Sequence, residues 1–156
     1  MKKFMILLLT ISLAFCHPSI ASAAVPTDAT IVETFDDGSY IETVIKKTTS
    51  ASSARSTTST VSGKKTNTYR NSEGSALWSV TVTGTFTYNG SSATCTKSTV
   101  SATSYNSNWK ISSSSASKSG ATAKATASVK RYADGTYIRT MTQSVSLTCS
   151  KKGTLS

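Results

Sequence analysis

Between Trp78 and Tyr88 the chain alternates without a break. Trp78, Val80, Val82, Phe86 and Tyr88 fall on one face with Gly84, and Ser79, Thr81, Thr83, Thr85 and Thr87 fall on the other. A period of two over that length predicts a half-buried antiparallel strand. Asn89-Gly90 then predicts a tight hairpin that returns through Ala93 to Val100. The same pattern recurs where Ala121, Ala123, Ala125, Ala127 and Val129 alternate with polar residues. After an Asp134-Gly135 turn, Met141, Val145, Leu147 and Cys149 share a face. A third hairpin is predicted from Ile31–Phe35 and Tyr40–Ile45 around Asp36-Asp37-Gly38-Ser39. Asn108 to Ile111 reads as a shorter strand, Ser112 to Gly120 as a Ser-rich connection, and 48–60 as a Ser/Thr-rich loop or linker. No helical period appears beyond the first 23 residues.

The segments Val32–Thr43 and Val129–Thr140 echo each other at a constant offset, each with a central Asp-Gly. Shared turn chemistry is the simplest account. A bolder one sets the two hairpins side by side, with Glu42 facing Arg139.

The first 23 residues change the picture most. Lys2 and Lys3 precede an apolar run from Phe4 to Phe15, and Ala21-Ser22-Ala23 supplies a small-residue cleavage pattern. This is the signature of a secretory signal peptide, so a single mature domain is expected over 24–156. The run is too short to span a membrane, and none like it follows. Cys16 lies close to a lipoprotein pattern, but the bulky Phe15 and the alanine site downstream favour cleavage after Ala23.

An exported chain places Cys95 and Cys149 in an oxidising compartment, where a disulfide between them is expected. The order Cys95, Trp109, Cys149 suits a tryptophan packed on an inter-sheet disulfide. Leu147 stands where the tyrosine of immunoglobulin domains belongs, so the expectation is all-β: an antiparallel β-sandwich, loosely Ig-like, with one disulfide. Leu, Ile, Val and Phe make up only 19 residues of the mature chain, so its core is lean.

Losing Lys2 and Lys3 from 17 basic residues leaves 15 against 7 acids, a mature net charge of +8. Five of the acids lie between Asp28 and Glu42, so an acidic start precedes a basic body. A basic body suits an anionic wall polymer or glycan, with Lys46, Lys47, Lys64, Lys65, Lys130 and Arg131 as candidate contacts. No basic run exceeds two residues, which argues against a specific nucleic-acid footprint.

Cleavage removes His17, the only histidine, and with it any Ser-His-Asp or Cys-His mechanism. Asp36, Asp37 and Asp134 are the carboxylates open to hydrolase chemistry, but Asp before Gly in a turn is usually structural. EF-hand spacing and a Gly-rich phosphate loop are both missing, so no metal or cofactor is expected. Regular Thr-x-Thr on the Trp78–Tyr88 strand could match ice or a crystalline polymer, yet threonine is also an ordinary exposed strand residue. Tyr69, Tyr105 and Trp109 are candidates to stack on sugars.

The run Trp78 to Gly90, then Cys95, Trp109 and Ser117 to Ala127, resembles small secreted proteins of Gram-positive bacteria to which no activity is assigned. The resemblance covers residues 76–150, implies an exported bacterial protein and supplies no catalytic residue. The expected function is non-catalytic binding of envelope polymer or glycan. A secreted cationic antimicrobial or toxin-like effector is the alternative.

Overall fold

The structure, a computed structural model, describes residues 29–52 and 57–156. The signal segment lies outside them. All regular structure among the described residues is β. The strands are β1 (Ala29–Thr34), β2 (Tyr40–Ser52), β3 (Ser59–Arg70), β4 (Ala76–Tyr88), β5 (Ala93–Ser104), β6 (Trp109–Ser119), β7 (Thr122–Ala133) and β8 (Thr136–Thr148). They form two antiparallel sheets, one in the order β1-β2-β3-β4-β5 and one in the order β6-β7-β8.

The alternation on β4 does what its period requires. Trp78, Val80, Val82 and Phe86 are buried against the second sheet, while the intervening hydroxyls face outward. β7 answers with Ala123, Ala125, Ala127 and Val129, and β8 with Val145 and Leu147. The small residues of β7 meet Gly84 of β4. A Cβ on Gly84 would lie 2.6 Å from the Phe86 ring and 3.0 Å from Ala123 Cβ. Phe86 therefore lies over its own strand's glycine, and alanines complete the layer.

One side of this sandwich-like pair of sheets is sewn shut where the chain passes from β5 to β6. There the Ser104 hydroxyl donates to the Trp109 carbonyl. Further along, the Cys95 N–H donates to the Gly120 carbonyl (2.7 Å) and the Lys118 ammonium to that of Thr96. The opposite side is open: β1 ends one sheet and β8 ends the other.

Several expectations are corrected. Both sheets follow chain order, so the Greek-key crossings of an Ig-like topology are missing. Cys95 and Cys149 are both buried, and their thiols are free in this structure. Their amides donate to the neighbouring carbonyls of Gly120 (2.7 Å) and Ala121 (3.0 Å), which pins both cysteines to the β6–β7 turn. Trp109 opens β6 at the other end of the sheet and packs on Tyr69, so no Trp-on-cysteine contact of the immunoglobulin kind forms.

The Ser-rich stretch 112–120 is strand to Ser119, paired with β7 from Ser113↔Ser128 to Ser119↔Thr122. Its backbone pairs in register although its side chains are too small and polar to show a buried face. The same holds in the 48–60 stretch, where β2 runs to Ser52 and β3 begins at Ser59. The Asp134-Gly135 turn is a two-residue loop of the primed type, with φ of 49° and 77° between the paired Ala133 and Thr136. Gly120-Ala121, with Gly120 at φ 52°, is a second two-residue loop between the paired Ser119 and Thr122. The loop after β4 is longer, and Asn89 Oδ1 accepts from the amides of Ser91 (3.0 Å) and Ser92 (2.9 Å).

The two echoing hairpins do come to one end of the molecule, but not through Glu42 and Arg139. Glu42 is buried and paired with Arg70, whose Nη1 also donates to the Gly74 carbonyl (2.8 Å). The carboxylate that feels Arg139 is Asp37. A double-mutant cycle at Glu42 and Arg139 is therefore expected to be additive within about 0.5 kcal/mol, while Glu42 and Arg70 couple by more than that. Thermal or urea melts of the single and double variants measure both.

Candidate functional site

The open side holds a cleft of about 400 Å³. Val32, Glu33 and Phe35 form one lip, Met141 to Ser144 of β8 form the other, and Tyr69 and Trp78 lie beneath. Tyr69, Trp78 and Gln143 come from the core-facing rows of β3, β4 and β8, and Phe35 comes from the loop between β1 and β2. Phe35 meets the Tyr69 ring edge-on at 5.6 Å between centroids, and Tyr69 lies 6.4 Å from Trp78 and 5.5 Å from Trp109. An aromatic floor results.

Tyr69 is fixed by a relay of hydrogen bonds. Ser39 donates both its amide (3.0 Å) and its hydroxyl to Asp37 Oδ1. With that proton committed, the Tyr69 hydroxyl is the donor in its 2.7 Å bond to Ser39 Oγ. The Ser39 hydroxyl and amide hold the Asp37 carboxyl below the usual carboxylate range, and Arg139 adds to the shift. Two smaller hollows share Tyr69. One of about 320 Å³ includes Asp36, Asp37 and Arg139, and one of about 310 Å³ includes Trp109 and Arg131.

Two buried polar atoms in the main cleft have no partner: Trp78 Nε1, a donor, and Gln143 Oε1, an acceptor. Trp78 is 1% exposed and Gln143 9%. An unmet polar atom of this kind costs about 1–3 kcal/mol. A group that both accepts and donates a hydrogen bond, such as a hydroxyl, is complementary to this pair. Asn67 lines the same cleft with its Oδ1 already taken by Thr43 Oγ1 (2.7 Å).

The basic candidates do not form one patch. Lys46 and Lys64 stand directly opposite each other on the outer face of the large sheet, beside Arg70. Lys47 and Lys65 lie on the core-facing rows of the same strands, opposite Gly63 and Val82. Lys130 is exposed on the outer face of β7, while Arg131 lies over the Trp109 ring at 5.6 Å. Of the six, only Lys46 and Lys64 are brought face to face.

Of the carboxylates, Asp36 and Asp37 sit beside Arg139, and Asp134 occupies a positive-φ turn position. Burial pushes both thiols up, and Cys149 is raised further by Cys95 close by. Among the described residues, no group of three or more His, Cys, Asp or Glu could hold a metal.

Gln143 escaped the sequence reading, although the signal was present: it interrupts the apolar row Met141, Val145, Leu147. What fold and cleft define is a two-sheet all-β protein with one open, aromatic-floored side. No family model, curated protein or solved structure matches the chain.

Proposed function

We propose that this is an exported, non-catalytic binding protein that takes a cell-envelope glycan into the cleft between β1 and β8. The unpartnered Trp78 Nε1–H and Gln143 Oε1 carry the reading, because a sugar hydroxyl supplies both complements over rings that suit its apolar face. Export follows from the signal segment, and outside the cell Cys95 and Cys149 close the disulfide. The opposed Lys46 and Lys64 favour a second contact with anionic polymer, since like charges across a strand pair repel until an anion lies between them. That contact weakens with salt, whereas the cleft's does not.

Titration calorimetry against envelope glycan fragments tests the cleft. Gln143→Leu is expected to raise stability by about 1 kcal/mol and to weaken binding at least about tenfold, because it removes an orphan acceptor the ligand needs. Trp78→Phe keeps a ring and loses the donor, with a similar loss of binding. A folded protein that binds no fragment at millimolar concentration, or a Leu variant that binds as well as the parent, refutes the reading. Growth arrest of other bacteria by the purified protein would favour the cationic effector instead.

A further inference from the structure

The same open side ends two sheets, and of the large exposed apolar residues among those described all but Tyr105 lie on the two strands that end them. Ile31 (60% exposed) and Val32 (56%) are on β1, while Tyr137 (52%) and Ile138 (50%) are on β8. An edge strand presents unpaired N–H and C=O groups, and proteins usually blunt such edges with lysine, proline or a covering element. β1 is short and bulged at Val32, and β8 is bulged at Ile138, which blunts each edge in part, but neither strand contains lysine or proline. β8 runs from Thr136 to Thr148, and Arg139 is its only charged residue.

The charges on the two edges differ in sign. β1 carries Glu33 and β8 carries Arg139, while Asp36 and Asp37, past the end of β1, already lie beside Arg139 within one copy. Pairing β1 with the β1 of another copy would bring two Glu33 carboxylates to one seam, and pairing β8 with β8 would bring two arginines to one seam. Pairing β1 of one copy with β8 of the next joins opposite charges and covers apolar residues on both strands. We infer that the protein associates head to tail with further copies of itself, β1 of one pairing with β8 of the next. Such a contact uses two different surfaces, so it grows into a chain or closes into a ring. The inference does not depend on glycan binding.

Blocked edges test it on the exported protein. Val32→Lys closes the β1 edge and Ile138→Lys the β8 edge; both sites are more than half exposed or close to it, so the fold should persist by circular dichroism. Light scattering should show the parent growing in size with concentration, each variant alone staying monomeric, and an equal mixture forming a dimer and nothing larger. The single reversals Glu33→Arg and Arg139→Glu should each weaken association, and their combination should restore it. A parent that stays monomeric at millimolar concentration overturns the inference. So does a variant that still dimerises alone, since that would mark a symmetric contact through one edge.

Discussion

Replacing Cys95 and Cys149 together by alanine should lower the stability of the oxidised protein by about 4 kcal/mol, the chain-entropy value for a loop of about 54 residues. The reason lies in how the fold holds the two cysteines. Both are buried, and their amides bond to consecutive carbonyls of the β6–β7 turn, so β5 and the end of β8 meet at one place. A crosslink there ties the edge of the large sheet to the last strand of the small one. Urea titrations with and without reductant measure the effect, and reductant should bring the parent down to the level of the alanine variant. Burial also raises both thiols, so few thiolates exist at neutral pH and the reduced protein should resist alkylation until it unfolds. Equal urea midpoints for oxidised parent and double variant would show that no such crosslink forms.

Phe86→Ala should cost about 3–5 kcal/mol, toward the upper end for a buried aromatic. Phe86 is fully buried, and its ring covers Gly84. Across the gap stand Ala123 and the other alanines of β7, none with a side chain long enough to swing into the hole. The cavity would therefore persist, and cavity volume sets the size of the loss. In a domain with the usual ~5–15 kcal/mol of stability, that is a large fraction. A loss under about 1 kcal/mol would mean that the sheets close up by moving as bodies. Gly84→Val tests the same layer from the other direction and should cost about 1–3 kcal/mol by overpacking.

Strand-level structure was legible wherever one face of a strand is apolar and the other is not. β4, β7 and most of β8 follow directly from alternation, and Asp134-Gly135 marks its own turn. β6 was only partly legible, because Ser112 to Ser119 offers no apolar row and is held mainly by backbone pairing. Pairing between sheets has no local signature, so the sequential strand order was not readable, and Cys-Trp-Cys spacing pointed to a different topology. The cleft was legible in two respects: Tyr69 of its floor is a sugar-stacking candidate from sequence, and a glutamine stands where the β8 period calls for an apolar side chain. Lys47 and Lys65 misled for the converse reason. Each lies on a core-facing row where that row runs out toward the edge, so a basic side chain there says little about the outer surface.

Each strand within a sheet hydrogen-bonds only to those just before and after it in the chain. Such an order keeps loop-closure distances short, which favours fast folding for an all-β protein. If the chain is exported as proposed, a polypeptide emerging from a membrane pore, amino end leading, can therefore zip up hairpin by hairpin without waiting for its tail. The final step would be the latch at Cys149, whose backbone also bridges to Leu155. Truncation before that point should leave a product that assembles its early strands and is then cleared by extracellular proteases.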